Sequence, residues 1–288
     1  MRTEQPKDSR LEARGVSAGY GTSLIIEELS LGIADGRITA LVGPNACGKS
    51  TLLKSIARLL PLAAGSVLLD GADIHRMPTR EVARGLGILP QSPIAPESIT
   101  VGDLVWRGRH PHQRFGHRRT AADEIVIARA LTATGTAELI DRPVEELSGG
   151  QRQRVWIALA LAQDTPTLLL DEPTTYLDVA HQIEVMDLLA DLNARTGKTI
   201  VLVSHDLNQA ALYASVIVAM RDGRIVRQGT PEEVLTEETV AEVFGLDCVV
   251  VPHPRAARPQ IFPLGRHMAG RTPTTTTAPP VPSIQETR

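Results

Sequence analysis

The 288-residue sequence predicts an α/β fold, a mainly parallel sheet with helices packed against it. Three stretches carry that prediction. Ile38 to Val42 is apolar and strand-like, breaks into a glycine-bracketed loop, and resumes as a helix-like run from Leu52 to Leu60. Thr167 to Leu170 and Thr199 to Val203 are two more buried-strand runs. Between them lies a helical pattern from about Val179 to Arg195, with Val179, Ile183, Met186 and Ala190 on one face. A helix between two strands returns the chain to the same end of the sheet, which makes the strands parallel.

Before the loop, Leu11 to Tyr20 and Leu24 to Ile33 read as strands, and Ser66 to Leu69 reads as another after it. The turn signals Ala34-Asp35-Gly36 and Asp70-Gly71 separate them. Tyr20, between Gly19 and Gly21, stands where an adenine would stack, or else serves as a strand-end aromatic of the core.

The loop itself runs Gly43, Pro44, Asn45, Ala46, Cys47, Gly48, Lys49, Ser50, Thr51. This is the phosphate-loop pattern. Gly43 and Gly48 let the backbone close around an anion, and the following helix turns its free N–H groups toward it. Lys49 is placed to reach the outer phosphates and Ser50 to ligate Mg²⁺. Cys47 has two readings: a helix-end thiol beside Lys49 whose thiolate is favoured and reactive, or a small apolar residue packed under the loop.

Leu86 to Leu89 is a short strand closed by Pro90, followed by Gln91, a polar residue that either touches metal or water or is simply exposed. From about Thr100 to Glu146 the texture is helical, as in Ala122 to Leu131, and reads as a helical subdomain inserted into the core. Arg107, Arg109, His110, His112, Arg114, His117, Arg118 and Arg119 crowd one span there. They form a solvated helical face or an anion-contacting surface, and their spacing is not that of a zinc site.

Leu147, Ser148, Gly149, Gly150 and Gln151 precede a helix with Val155, Trp156, Leu159 and Ala162 at helical spacing. Ser148 is placed as its N-cap, and the two glycines leave a second helix N-terminus able to hold a phosphate. The strand Thr167 to Leu170 ends in Asp171 and Glu172, carboxylates suited to Mg²⁺ and to polarising a water. The strand Thr199 to Val203 ends in Ser204, His205 and Asp206, which place a histidine near a terminal phosphate and a cap at the next helix. Trp106, Trp156 and Cys248 read as packing residues.

Composition narrows the class. A 42% hydrophobic chain of this length buries one large core or two modest ones. A net charge of −3 disfavours nucleic acid as a partner. Two cysteines imply no disulfide framework and suit a reducing cytosol. No apolar run nears the roughly 18 residues that span a bilayer, so a membrane role is expected to come through a partner.

The phosphate loop, Gln91, Leu147 to Gln151, Asp171-Glu172, Leu177-Asp178 and His205 resemble, in order and spacing, the ATPase subunits of ABC transporters over roughly Leu11 to Phe244. The resemblance implies a phosphate-loop NTPase cassette: a RecA-like core, an antiparallel N-terminal β-subdomain and an inserted helical subdomain. It implies a cassette over 11–246 with the helical part at about 92–150. Around it, a flexible N-terminus is expected over 1–10, a small C-terminal extension over 247–268 and, from its Pro- and Thr-rich composition with almost nothing apolar to bury, a disordered tail over 269–288. Truncation of that tail is expected to leave stability nearly unchanged. The stretches Val249 to Val251 and Ile261 to Leu264 are expected to pack as the extension.

Two such cassettes pair head to tail, with ATP between the phosphate loop of one and the Leu147 to Gln151 signature of the other. The resemblance makes Tyr20 the adenine-stacking residue and Gly43 through Thr51 the phosphate cradle. Ser50, Gln91 and Asp171 become the Mg²⁺ partners, and Glu172, His205 and Lys49 the catalytic residues. Asp178 becomes the residue that communicates across the dimer. Partners implied are a second cassette, most simply an identical chain, permease subunits, and a substrate-binding protein acting through the permease at the cytoplasmic face of a bacterial inner membrane. Cargo would not touch this chain.

Thr174-Thr175-Tyr176-Leu177-Asp178 with His181 and Gln182, Arg107-Gly108-Arg109, Pro111-His112-Gln113, and Pro263-Leu264-Gly265-Arg266-His267 are similar to the ferric-siderophore importers. Cobalamin and haem importers share much of this pattern, and a soluble ABC-type ATPase acting on nucleic acid or ribosomes is the alternative of a different class. Ala46 departs from the family, where many members carry glycine.

Overall fold

The computed structural model describes residues 9–113, 119–175 and 177–265. The antiparallel strands β1 (Leu11–Tyr20) and β2 (Ser23–Ile33) lead into β3 (Ile38–Val42), the loop, and α1 (Lys49–Ile56). Strands β4 (Ala64–Leu69) and β5 (Ala72–Asp73) follow, then α2 (Thr79–Gly85) and β6 (Leu86–Leu89). The helical stretch contains α3 (Val101–Trp106), short 3-10 turns, α4 (Ala121–Ala133), and α5 (Gly149–Ala162). The chain then alternates through β7 (Thr167–Asp171), α6 (Val179–Thr196), β8 (Thr199–Val203), α7 (Leu207–Tyr213) and β9 (Val216–Arg221). It ends with β10 (Arg224–Gly229), α8 (Pro231–Val234), α9 (Glu237–Phe244), β11 (Cys248–Pro252) and β12 (Pro259–Pro263).

Six strands make the central sheet in the order β10-β9-β3-β8-β7-β6. All its pairings are parallel except β9 with β10. The second sheet, β2-β1-β4-β5, is antiparallel. Every residue of β3, β7 and β8 is buried, because both faces of the sheet are covered, which explains why apolar residues dominate them without a polar–apolar alternation. The side chains alternate between two cores. Ala40, Leu168, Leu170 and Leu202 join the core of the helical side. Leu41, Leu169, Val201 and Val203 join the core formed with α1 and the antiparallel sheet.

Four sequence expectations change. On α6 the buried residues are Val185, Met186 and Leu189, while Val179 and Ile183 are 70% and 44% exposed. Spacing marked an apolar face correctly for Met186, but the face that packs is set by neighbours: Gln182 is bonded to Gln209 at 2.6 Å and Asp187 to Tyr213 at 2.8 Å, tying α6 to α7. The helix after the loop stops at Ile56, and Arg58 beyond it takes a left-handed φ of 59°.

In the C-terminal extension, β11 and β12 pair as a hairpin in which Cys248 and Ile261 face inward and Val249, Val251 and Phe262 stay exposed, so only alternate residues pack. Asn208 of α7 fastens the hairpin through both its amide groups, at 3.2 Å to the carbonyl and 2.7 Å to the N–H of Ile261.

In the basic span Arg109 is neither solvated nor open to a ligand. It is buried, 2.9 Å from Asp123, and donates to the Ala162 carbonyl. His112 meets the Gln163 carbonyl at 2.7 Å, and Arg119 pairs with Asp103 and lies over the Trp106 ring. Arg114, His117 and Arg118 lie outside the described residues, as do Tyr176, residues 1–8 of the N-terminus, Arg266, His267 and the 269–288 tail.

Among the described residues no helix is long and apolar enough to cross a membrane. Cutting the chain after Leu246 removes the buried Cys248 and Ile261 and strips Asn208 of its partners. The expected loss is about 3–5 kcal/mol, a drop of several degrees in thermal unfolding. Equal melting of the truncated and full chains would show that the hairpin lies outside the cooperative core.

Candidate nucleotide site

The loop is aimed by β3, whose last residue precedes Gly43. A Cβ at Gly43 would lie 2.2 Å from the Met220 carbonyl, so the close pass over β9 demands glycine. Gly48 caps α1 with φ 102°, again a conformation suited to glycine. Ala46 also takes a left-handed φ, 61°, which costs a residue with a Cβ about 1–2 kcal/mol. The Lys49 ammonium is buried and folded onto the loop, donating to the carbonyls of Gly43 at 2.9 Å and Pro44 at 2.7 Å. The first N–H groups of α1 have no intrahelical partners, so a positive charge and free donors converge at one point.

Cys47 takes the second of its two readings. Its side chain is buried, and the site of a Gly43 Cβ would be only 2.7 Å from its sulfur. Burial pushes the thiol up, outweighing the opposing pull of the Lys49 charge and hydrogen bonds. A reactive thiolate facing a nucleotide is therefore excluded by packing.

In front of the loop lies a cleft of about 490 Å³ lined by Tyr20, Asn45, Ala46, Gly48 through Thr51, Gln91, Glu172 and His205. Tyr20 is half exposed at its margin, not in the core. Parallel pairing of β7 with β8 and of β8 with β3 sets their C-terminal ends side by side. Ser50 Oγ consequently donates to Asp171 Oδ1 at 2.8 Å. The other oxygen, Oδ2, is buried without a hydrogen-bond partner. Burial raises the Asp171 pKa, with the Ser50 hydrogen bond pulling the other way.

Glu172, with a left-handed φ of 53°, follows directly. Its Oε2 accepts from Gln91 Nε2 at 2.7 Å and from Thr175 Oγ1 at 3.0 Å, and its Oε1 meets His205 Nε2. Burial pushes this carboxyl up, yet the bonds from His205, Gln91 and Thr175 outweigh it and hold the group below its ordinary range. Thr175 as a partner of Glu172 was not legible beforehand. Its only signal was a hydroxyl three residues past an acid, where the chain turns with Thr175 N–H bonded to the Glu172 carbonyl.

The structure does not bring the second phosphate candidate to this cleft. Ser148 and Gly149 are exposed at the start of α5, where Ser148 Oγ accepts from the Gln151 N–H and Gln151 Oε1 returns to the Ser148 N–H. Leu147 is buried behind them. Asp178 caps α6 and holds His181 through its N–H at 2.9 Å and its Nδ1 at 2.8 Å. That imidazole lies 3.2 Å from where a Cβ on Gly150 would sit, so the signature turn and the Asp178 turn are in contact. One chain thus offers an anion cleft at the end of the sheet and a second, exposed helix N-terminus elsewhere.

Residues 26–175 match the family model described as ABC transporter. The chain is 52% identical over 256 residues to the achromobactin transport ATP-binding protein CbrD of Dickeya dadantii, covering 89% of this chain and 95% of that one. It is 48% identical over 258 residues to the ferric enterobactin transport ATP-binding protein FepC of Escherichia coli, covering 90% and 95%. The dimeric structure of a bacterial ABC transporter cassette superposes with a TM-score of 0.68 at 28% identity, over 76% of this chain and 98% of that one.

Ala46→Gly removes a left-handed Cβ and is expected to stabilise the chain by about 1 kcal/mol in urea unfolding. An unchanged or lower midpoint would mean that the loop relaxes around alanine. Asp171 bears on pH. Because its folded pKa is raised, its contribution is complete below the unfolded carboxylate value and is lost as pH rises through the folded one. Asp171→Asn is therefore expected to be more stable than the parent at pH 8, with the advantage vanishing near pH 3. A pH-independent difference would contradict the burial argument.

Proposed function

The chain belongs to the ABC transporter family, and on that premise we propose that it is the ATPase subunit of a ferric-siderophore importer. ATPases of this family are coupled to transport, pair as cassettes and work with permease subunits. The observation that carries the cargo class is the identity near one half, over about nine tenths of the chain, to proteins named for achromobactin and ferric enterobactin transport. The alternative of an ATPase acting on nucleic acid is weakened at Arg109, His112 and Arg119 of the basic span, which are engaged by protein partners. The proposed setting is the cytoplasmic face of a bacterial inner membrane, with a substrate-binding protein acting through the permease. The proposed cassette spans 11–246, with 92–150 as its helical subdomain and 247–268 as its extension.

In this reading Tyr20 stacks on the adenine, the 43–51 loop wraps the phosphates, and Lys49 leaves the loop carbonyls for the outer phosphates. The residues present suit Mg²⁺. Asp171 Oδ2 is buried and unpartnered beside the Ser50 hydroxyl, and Gln91 stands across the cleft. Among the described residues no group of three or more His, Cys, Asp or Glu could hold a metal alone, so Ser50, Gln91 and Asp171 would share it with the phosphates. Bound Mg²⁺ neutralises the charge developing on the transferred phosphoryl group.

Glu172 is the base that takes a proton from water, kept ionised by its depressed pKa. Its two oxygens accept three protein donors, two on Oε2 and one on Oε1, which leaves Oε1 a further acceptor site for the water. Gln91 and His205 have other acceptors once phosphates are present, and His205 then holds the outer phosphate. Ser148 through Gln151 of the second cassette close the site from outside, and Asp178 couples that closure to the signature through His181.

Glu172→Gln is expected to bind ATP normally while hydrolysis falls by about two to four orders of magnitude. Normal turnover would overturn the assignment of the base. Ser148→Arg should abolish hydrolysis yet preserve labelling of the phosphate loop by an ATP photoanalogue. Loss of labelling would show that Ser148 serves its own chain's nucleotide. For cargo, this chain should restore radioiron uptake from a ferric siderophore in cells lacking their own importer ATPase. Restoration of cobalamin uptake alone would refute the iron reading.

A further inference from the structure

A carboxylate offers lone pairs on both of its oxygens, and the oxygen left open decides where it takes a proton. On Glu172, Oε2 is filled by two donors, Gln91 Nε2 at 2.7 Å and Thr175 Oγ1 at 3.0 Å, while Oε1 meets His205 alone. The three donors are not equivalent. Gln91 and His205 follow the ends of β6 and β8, both are exposed, and both turn to other acceptors in the catalytic arrangement proposed above. Thr175 is half-buried and only three residues further along the same turn, and among the described residues its hydroxyl donates to no other atom.

The local sequence builds that bond. Pro173, its φ fixed by its ring, takes the second position of a tight turn that starts at Glu172. The turn closes with the Thr175 N–H on the Glu172 carbonyl at 3.2 Å, and Gln153 of α5 clamps it by donating to the Pro173 carbonyl at 2.7 Å. Thr175 branches at Cβ, which limits its χ1, so its hydroxyl is held where the turn delivers it. The terminal torsion of a carboxylate is soft, so without a fixed donor the two oxygens of Glu172 exchange places and neither is reserved for the water. We propose that Thr175 is a positioning residue for the base. Its hydroxyl pins Oε2 throughout the cycle and keeps Oε1 for the water. Oε1 then accepts the water proton as the water oxygen bonds to the outer phosphorus and the bond from that phosphorus to the ADP oxygen breaks. This rests on the assignment of Glu172 as the base.

The test compares steady-state hydrolysis of Mg²⁺-ATP by the full-length chain with that of Thr175→Val and Thr175→Ser. Valine keeps the side-chain bulk and the N–H that closes the turn while losing the donor. Thr175→Val is expected to lower kcat about ten- to a hundredfold, with KM and the affinity for a fluorescent ATP analogue unchanged. Thr175→Ser, which keeps the hydroxyl, should restore most of the parent rate. Because the hydroxyl acts through the carboxylate, Thr175→Val added to Glu172→Gln should leave the residual single-turnover rate where Glu172→Gln alone puts it. Four results would each overturn the positioning role while leaving Glu172 as the base: parent-like kcat in Thr175→Val, a rise in KM or loss of analogue affinity, an equal fall in the Glu172→Gln background, or failure of serine to restore turnover. Normal turnover by Glu172→Gln alone would instead overturn the base, and the role of Thr175 with it.

Discussion

The hydrogen bond from Ser50 Oγ to Asp171 Oδ1 joins residues 121 positions apart, and the site depends on the arrangement that makes it short. It exists because β8 lies between β3 and β7, all three parallel, so the turns after their C-terminal ends open on one side of the sheet. The loop after β3, the acids after β7 and the histidine after β8 then meet without any element bending toward another. Ligand sites in open α/β sheets collect at this end for that reason. The two packed cores hold the register, since a slip of one residue in β3 would exchange Ala40 and Leu41 between the faces.

Within that frame the two acids of one strand end have opposite environments. Asp171 is buried with an unsatisfied oxygen and a raised pKa, a group that gains from a cation. Glu172 is supplied with donors from three separate segments and is held ionised. A backbone φ of 53° at Glu172 is a strained conformation for a residue with a Cβ, and its surroundings must hold it. Strain and unsatisfied polarity in this cleft are a stability cost, set against the apolar burial of the fully buried strands β3, β7 and β8.

The far half of the proposed site is organised by contact between two helix starts. Ser148 and Gln151 close a capping box on α5, Asp178 caps α6, and the His181 ring fills the gap that Gly150 leaves. Arg154 and Glu184 at 3.0 Å, and Gln153 bonded to the Pro173 carbonyl at 2.7 Å, continue the connection along both helices. The signature, the Asp178 turn and the segment after Glu172 are thereby mechanically linked, which is what a trans-acting closure needs.

The amino-acid sequence by itself determined the strands β1 to β3 and β6 to β8 nearly to the residue, the phosphate loop, and the caps Ser148 and Asp206. These are local properties: apolar runs, glycine spacing and capping chemistry act over a few residues. Only the tertiary structure decided which face of α6 is buried, that Arg109 turns inward to Asp123, that Cys47 is packed away, and that Thr175 bonds Glu172. Each of these depends on a neighbour distant in sequence or on the geometry of a turn. The β9–β10 pair and the hairpin pairing of the two terminal apolar stretches were not legible, since β10, β11 and β12 are only partly buried and take their pattern from the elements they pack on.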